Sequence, residues 1–167
     1  MKWDKIAGHS SNLFSDESNP SSTPFNTYSG IEYYMNVGGV APEKINLGMP
    51  LYARSFANTM GPGTPFNNTG AAGSFGESST WDTKALPIPG SNATVYNLEK
   101  VGASYSYDAS SKLMISFDTP TNAKVKASYI EKMCLGGAMV RAPLLESLHN
   151  LRSNPSFSSQ DIENHTC

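Results

Sequence analysis

Two strand-like apolar runs, at residues 45–51 and 135–140, constrain the fold of this chain more than any other feature. A helical pattern at residues 123–133 lies directly before the second run, and Asp118-Thr119-Pro120 marks its start with a capping residue near a proline. Strand, inserted material, helix and strand is the order of a βαβ crossover with an insertion after its first strand. The sequence therefore predicts an α/β fold.

Shorter elements are predicted before and within the insertion. Helical spacing followed by Gly38-Gly39 predicts a helix at residues 28–37, and the polar residues 10–27 predict an exposed loop. Within the insertion, the patterns predict a helical turn at 81–86, a strand at 94–98, and a hairpin of strands 103–107 and 113–117 around Asp108-Ala109-Ser110-Ser111. These short strands indicate a small inserted unit.

Composition excludes several classes of function. The net charge is -2 with no basic block, which argues against nucleic acid as a partner. No apolar run is long enough to span a bilayer, and residues 1–14 lack the apolar segment of a signal peptide, so neither a membrane anchor nor an export signal is expected. Asn67-Asn68-Thr69, Asn92-Ala93-Thr94 and Asn164-His165-Thr166 nevertheless have the form of N-glycosylation acceptors, which matter only in a secreted protein.

No metal or cofactor site is predicted. The three histidines have no metal-ligand spacing to each other or to a cysteine, and the glycine-rich residues 61–76 do not open a helix as a phosphate-binding loop would. The two cysteines, Cys134 in an apolar run and Cys167 at the last position, indicate a buried free thiol and a tail thiol.

Tyr52 and Arg54 are the first candidate ligand contacts. The strand pattern of residues 44–56 runs without a turn into this aromatic ring and guanidinium. In α/β barrels the C-terminal strand ends and the loops that follow carry the chemistry. The same pattern also fits an ordinary core strand with a polar exit.

The ordered motifs of the chain resemble a known family. GHSSNLF, LGMPLYARSF, WDTKALP, GASYSYD, ISFDTP and LGGAM occur in the order and at the separations found in the C-terminal portion of fungal chitinases of glycoside hydrolase family 18. The resemblance covers roughly residues 3 to 139, and such an ordered series is far more specific than one motif.

The resemblance implies an incomplete (β/α)8 TIM barrel, with strands seven and eight and a small α+β insertion domain. Residues 1–51 and 113–140 would form the partial barrel, residues 52–112 the insertion domain, and residues 141–167 a divergent, disordered tail. The family hydrolyses β-1,4 linkages between N-acetylglucosamine units of chitin, with the substrate's acetamido group as the nucleophile. Chitin or its oligosaccharides would be the partner, and an extracellular location is implied.

The catalytic half of that family is missing from this sequence. The DxxDxDxE motif, whose Glu protonates the glycosidic oxygen, is absent, and so is the sixth-strand motif that ends in Tyr-Asp. Trp3-Asp4 imitates that ending, but the residues that follow match a later Trp-acid pair. Asp108 is interpreted as a turn residue and Asp118 as a helix cap, and Glu146 lies beyond the resemblance. No catalytic residue is assigned.

The resemblance does assign substrate-binding residues. Trp3 would be an aromatic wall for a sugar ring, with a core tryptophan as the alternative. Tyr52 and Arg54 would line the site of the scissile sugar. Glu77 matches a substrate-contacting acid if a one-residue gap is allowed, and a solvated loop acid is the alternative.

The resemblance ends abruptly in the eighth strand. Family members follow LGGAM with an aromatic pair that forms the floor of the sugar site, whereas this chain continues Val140-Arg141-Ala142. Three hypotheses remain. The first is a chitinase fragment that is inactive alone, the second is a non-catalytic remnant that binds chitin through Trp3, Tyr52, Arg54 and Trp81, and the third is a non-functional truncated product. An incomplete barrel also leaves open apolar strand edges, which predicts self-association.

Overall fold

A computed structural model describes residues 5–70, 73–74 and 78–141. The helices are α1 (Thr27–Asn36) and α2 (Pro120–Lys132), and three 3₁₀ turns lie at Pro20–Ser22, Pro42–Lys44 and Thr83–Ala85. The strands, in chain order, are β1 (Asn46–Pro50), β2 (Tyr52–Ala57), β3 (Thr80–Asp82), β4 (Thr94–Leu98), β5 (Ala103–Asp108), β6 (Leu113–Ser116) and β7 (Gly137–Arg141).

The first and last strands form a two-stranded parallel sheet. β1 pairs with β7, with Leu47 opposite Ala138 and Met49 opposite Val140, and α2 precedes β7 along the chain. This is the βαβ arrangement that the sequence predicts, because parallel neighbours need a long crossover between them.

These two strands are much more exposed than their apolar sequences predict. Leu47 is the one residue of β1 that is fully buried, while Met139 is 55% and Val140 is 45% exposed. Within the described residues, β1 and β7 pair only with each other. Their outer edges and part of their faces therefore lack the neighbours that bury the strands of a parallel sheet.

The other five strands form an antiparallel sheet in the order β3-β2-β6-β5-β4. The prediction of an uninterrupted run from residue 44 to residue 56 was wrong, since the chain bends at Leu51 and β2 leaves the parallel pair for the second sheet. β6, which the predicted division placed with the barrel portion, is hydrogen-bonded to β2 and β5 and belongs to this sheet.

The chain itself covers one face of the five-stranded sheet and part of the other face. On one face, here the Ala53 face, Trp81, Leu86 and Ile88 pack against Ala53, Ile115 and Phe117. On the other, here the Arg54 face, the segment before α1 lies across the strands: Ser10 donates through N and Oγ to Ser116 Oγ (3.0 and 3.2 Å), and the His9 ring contacts that of Tyr105.

Residues 10–27 are not simply an exposed loop. Leu13 and Ser22 are fully buried, and Asn12 Nδ2 donates to the carbonyls of Phe14 and Phe25, both at 2.9 Å. Leu13 belongs to the core cluster that joins α1, α2 and β1. The prediction of exposure failed because the polar residues here satisfy the loop's own backbone instead of facing water.

Both helices begin at side-chain caps. Asn26 accepts a hydrogen bond from Ser29 N (2.8 Å) at the start of α1, and Thr119 accepts one from Asn122 N (3.2 Å) at the start of α2. The cap of α2 is therefore Thr119, and the prediction that Asp118 is the cap was wrong. Asp118 has another partner.

That partner is Lys126, a lysine that is only 2% exposed. Its ammonium lies 2.5 Å from Asp118 Oδ2 and donates to Ser11 Oγ at 3.0 Å. Asp118 Oδ1 also accepts from Ser11 Oγ (2.9 Å) and Asn122 Nδ2 (2.7 Å). Burial lowers the pKa of Lys126, and the Asp118 carboxylate opposes that shift. This group, here the Lys126 cluster, joins the N-terminal segment, the end of β6 and α2.

The structure bears on two predictions, the state of Cys134 and the lack of a membrane anchor. Cys134 is disulfide-bonded, so the prediction of a buried free thiol at this position was wrong. Among the residues described, no helix has the length and apolar character to cross a bilayer. The predicted tail, residues 141–167, lies outside the described residues except for Arg141, whose backbone ends β7.

Candidate carbohydrate-binding site

Tyr52 and Arg54 lie side by side on one face of β2. Residues two apart on a strand point to the same side of the sheet, and here the Arg54 guanidinium carbon lies 5.5 Å from the centre of the Tyr52 ring. A cation at this distance from an aromatic face is attracted by the ring's quadrupole. The structure thus brings together the two residues that the strand pattern singled out.

Hydroxyl groups of the neighbouring strand hold the guanidinium. Arg54 Nη1 donates to Thr80 Oγ1 at 2.9 Å and to Ser79 Oγ at 3.3 Å. The ion pairs within the described residues are Lys84–Asp82 and Lys126–Asp118. Arg54 therefore pairs with no carboxylate in the described part of the chain. The exposed guanidinium therefore keeps its charge and most of its five N–H donors for other acceptors.

An acidic residue lies opposite Tyr52. Asp82 on β3 faces Tyr52 across the antiparallel pair and is only 6% exposed. Its carboxylate accepts a hydrogen bond from Lys84 N (3.1 Å) and lies 3.2 Å from the exposed Lys84 ammonium. The sequence predicted a helical turn at residues 81–86, which is correct only for Thr83–Ala85, and so missed β3 and the position of Asp82.

Trp81 lies on the opposite face of the sheet from Tyr52 and Arg54. It is paired with Ala53 and packs against the core cluster of Ala53, Ile115 and Phe117. Its indole N–H is buried with no hydrogen-bond partner among the described residues. The prediction that Trp81 binds chitin beside Tyr52 and Arg54 was wrong, because this tryptophan packs on the other face of the sheet.

Two of the four predicted binding residues cannot be placed. Trp3 and Glu77 lie outside the described residues, so their roles remain predictions. The hydroxyl partners Ser79 and Thr80 were not predicted, because only the pairing of β3 with β2 brings them to Arg54.

The described carboxylates near the sheet have structural partners. Asp108 accepts hydrogen bonds from Ser110 N (2.9 Å), Ser110 Oγ (2.6 Å) and Ser111 N (3.3 Å), and the Ser110 hydroxyl is the main cause that keeps the pKa of Asp108 below its usual value. This is the turn role predicted for it. Asp118 belongs to the Lys126 cluster. Within the described residues, no three His, Cys, Asp or Glu side chains are grouped to hold a metal ion.

A small cavity lies on the Ala53 face. It has a volume of about 140 Å³ and is separated by the sheet from Tyr52 and Arg54. Its lining comes from β5, β6 and the connection before β4, with the residues Ile88, Ser91, Ala93, Ser106, Asp108, Ser111, Leu113 and Ile115. The candidate binding site is thus an open surface on one face, and the cavity belongs to the other.

The chain is similar to known chitinases along most of its length. The model of glycosyl hydrolases family 18 matches residues 1–141. Chitinase 1 of Aphanocladium album is 45% identical over 137 residues, which cover 82% of this chain and 31% of that protein. The chain thus spans about a third of the length of this relative.

Solved chitinase structures share the fold. The Group IV chitinase of Ostrinia furnacalis, in complex with allosamidin, has a TM-score of 0.73 and 26% identity, covering 89% of this chain and 42% of that one. The catalytic domain of the psychrophilic chitinase B from Arthrobacter TAD20 has a TM-score of 0.70 and 26% identity, covering 83% of this chain and 31% of that one. These neighbours imply a TIM-barrel-type fold, of which the described residues form a partial α/β piece. From the family match and the chitinase identity together, this chain belongs to glycosyl hydrolase family 18.

Proposed function

We propose that this chain is part of a chitinase-type glycoside hydrolase and supplies one wall of its sugar-binding site. In this proposal β1, α2 and β7 are barrel elements, the five-stranded sheet is the inserted α+β domain, and Tyr52 with Arg54 contacts an oligomer of N-acetylglucosamine. The observation that carries the proposal is the exposed guanidinium of Arg54, held by hydroxyls over the Tyr52 ring and paired with none of the described carboxylates.

The geometry suits a neutral, amide-bearing sugar. A carbonyl oxygen of an acetamido group can accept from the free guanidinium N–H groups, and a charge-assisted hydrogen bond of this kind is stronger than a neutral one. The partly buried Tyr52 ring adds an apolar surface and a hydroxyl beside it. Trp3 and Glu77 would complete the same wall.

The isolated chain is proposed to have no hydrolytic turnover of its own. The acid that protonates the leaving oxygen belongs to a motif that this sequence does not contain. A positioned general acid contributes roughly 10² to 10⁴ in rate, and here the rest of the barrel is also needed to hold the sugar. Release of soluble sugars from a chitin oligomer by the purified chain would contradict this part of the proposal.

The binding role is tested in a chimera that restores the missing portion. Residues 5–141 replace the corresponding residues of Aphanocladium album Chitinase 1, and hydrolysis of a soluble chitin oligomer is followed. We expect the chimera to be active, Tyr52→Ala and Arg54→Ala to raise KM or lower kcat/KM about tenfold or more, and Arg54→Lys to recover part of the loss.

Matched controls are available on the same chain. Tyr33→Ala removes an exposed tyrosine of α1, and Lys124→Ala removes an exposed cation of α2. Both should leave kcat/KM unchanged. If the chimera is active and Tyr52→Ala and Arg54→Ala behave like these controls, the proposed site is wrong.

The alternative of a non-catalytic chitin-binding protein uses the same residues and differs in what the isolated chain does. Titration calorimetry of the unmodified chain with a chitin oligomer separates the two. Binding that is lost in Arg54→Ala without any hydrolysis would favour the alternative, and no binding by a folded chain would leave only the role within a larger enzyme.

Two further properties belong to the proposal. Self-association of the isolated chain is expected because β1 and β7 have open edges and Met139 and Val140 are exposed. A monomer in sedimentation velocity at micromolar concentration would contradict it. An extracellular location is proposed, and the disulfide-bonded Cys134 supports it, since such bonds persist mainly in oxidising compartments.

A further inference from the structure

The two N-glycosylation sequences within the described residues lie in different structural settings. Asn67-Asn68-Thr69 lies within the glycine-rich residues 61–76 after β2, and Asn92-Ala93-Thr94 leads into β4. An acceptor needs an accessible asparagine amide and a hydroxyl two residues later that is free to turn towards it. Both asparagines are exposed, and the two sites differ in the second requirement, the free hydroxyl.

The Asn67 sequence is held by its surroundings. Asn67 N donates to Ala57 O (3.1 Å), and Asn67 O accepts from Asn58 Nδ2 (2.9 Å). The Thr69 hydroxyl is engaged with Ser78 Oγ at 2.6 Å, and Asn68 between them has a φ of 123°. The loop is also tied to the N-terminal segment, since Phe66 N donates to Lys5 O (2.9 Å) and Gly63 N donates to Ala7 O (2.8 Å).

The Asn92 sequence is open. The side chain of Asn92 is exposed, while its neighbours Ser91 and Ala93 line the cavity on the Ala53 face. Ser91 N and Oγ both bond to Ile88 O (3.1 and 2.7 Å), which fixes the turn before the acceptor. Neither the Asn92 amide nor the exposed Thr94 hydroxyl has a hydrogen bond to any described residue.

We propose that Asn92 carries an N-linked glycan when the chain enters the secretory pathway, and that Asn67 does not. The donor is an oligosaccharide linked to a lipid diphosphate. A bond forms between the Asn92 amide nitrogen and the anomeric carbon of the first N-acetylglucosamine. The bond from that carbon to the diphosphate oxygen breaks, the lipid diphosphate leaves with the electron pair, and the amide loses a proton to solvent.

The position is compatible with the proposed binding surface. Asn92 lies on the connection that covers the Ala53 face, whereas Tyr52 and Arg54 lie on the other face of the sheet. A glycan at Asn92 therefore projects away from the sugar-binding wall. The inference rests on the proposed extracellular location, and the test supplies secretion by itself so that the two can fail separately.

The test expresses the full chain behind a cleavable secretion signal in yeast, with Asn164→Gln in every variant because that third sequence lies outside the described residues. Cell extract and medium are both analysed by peptide mass spectrometry after endoglycosidase treatment in heavy-oxygen water, which marks each deglycosylated asparagine as labelled aspartate. We expect the label on Asn92 and none on Asn67. Asn92→Gln and Thr94→Ala should abolish the glycan, Thr94→Ser should retain it, and Asn67→Gln should change nothing.

An unlabelled Asn92 peptide in the secreted or extracted chain would overturn the proposal, and so would a label on Asn67. The exposed side chains of Asn92 and Thr94 have no contacts that folding needs, so loss of the glycan in these variants reports the acceptor and not misfolding. Failure of the native chain to be exported without the added signal would count against the proposed location only.

Discussion

The parallel pair β1–β7 and the five-stranded antiparallel sheet differ in how far their apolar side chains are buried. In the antiparallel sheet Ala53 and Met114 are fully buried and Ile115 is 2% exposed, whereas Met139 and Val140 in β7 are about half exposed. Antiparallel neighbours are joined by short turns, and one continuous segment can both build and cover such a sheet. Parallel neighbours need a long crossover between them, and within the described residues β1 and β7 have no further strand beside them.

The two regions are joined by buried polar groups as well as by apolar packing. The Lys126 cluster ties the N-terminal segment and the end of β6 to α2, which leads into β7. A buried ion pair is costly to break from one side, because the remaining charge is left without a partner. This cluster is therefore where a single change should most damage the connection between the two regions.

The largest expected effect is that of Lys126→Met. Removing the ammonium leaves the Asp118 carboxylate buried and unpaired, so the free energy of unfolding should fall by about 3 to 5 kcal/mol. Urea unfolding followed by circular dichroism measures it. Lys124→Met, two residues earlier and exposed on the same helix, should cost about 0.5 kcal/mol or less. The double variant Lys126→Met with Asp118→Asn should be more stable than Lys126→Met alone.

The next effect compares truncations in the two sheets directly. Ile115→Ala creates a cavity in the core of the antiparallel sheet and should cost about 2 to 5 kcal/mol. Met139→Ala in the open parallel pair should cost about 0.5 kcal/mol or less, since its side chain is already half in water. Equal losses in urea unfolding would mean that the parallel pair is as well buried as the other sheet, contrary to the structure.

The smallest effect is a dependence on pH that comes from the segment covering the Arg54 face. His9 is buried, neither ring nitrogen has a hydrogen-bond partner among the described residues, and burial lowers its pKa to about 4, while Asp16 partly opposes the shift. Folding favours the neutral form of His9. The contribution of this neutral histidine to the free energy of unfolding is therefore complete above pH 6.5 and is lost as the pH falls from about 6.5 towards 4. Integrated over that window it amounts to about 2 to 3 kcal/mol.

Unfolding free energies measured across that pH window test this prediction. His9→Leu keeps an apolar side chain against Tyr105 and cannot titrate, so its stability should fall less steeply between pH 6.5 and 4 than that of the parent chain. The remaining histidines are common to both proteins and cancel in the difference. Parallel pH profiles would show that His9 is not the group responsible.

Patterns that are local in sequence predicted the local structure well. Strand β4 has the predicted bounds, the β5–β6 hairpin turns at Asp108 as expected, and the helix predicted at residues 28–37 lies at Thr27–Asn36. Caps, turn residues and alternation are properties of neighbouring residues, which is why one sequence suffices to find them. Tyr52 and Arg54 were singled out from the strand pattern that leads into them, and their role in binding stays a prediction.

Features that depend on distant pairing were missed. β3 has only three residues and exists as a strand because β2 lies beside it, so the hydroxyls of Ser79 and Thr80 could not be assigned to Arg54 in advance. The burial of Leu13 and of Lys126 likewise comes from distant segments. Lys126 bonds to Ser11, more than a hundred residues away. No periodicity in one segment reports what another segment will cover.

The sequence by itself determined the family, the order of the elements and the identity of the residues that face one side of β2, because each is written in short motifs and their spacing. Only the tertiary structure decided which strands are buried, that Trp81 packs inside while Arg54 stays exposed, and that Asn92 is open where Asn67 is held. Those outcomes depend on which surfaces meet after the chain has folded, and contact between distant segments is what fixes the exposure of a side chain.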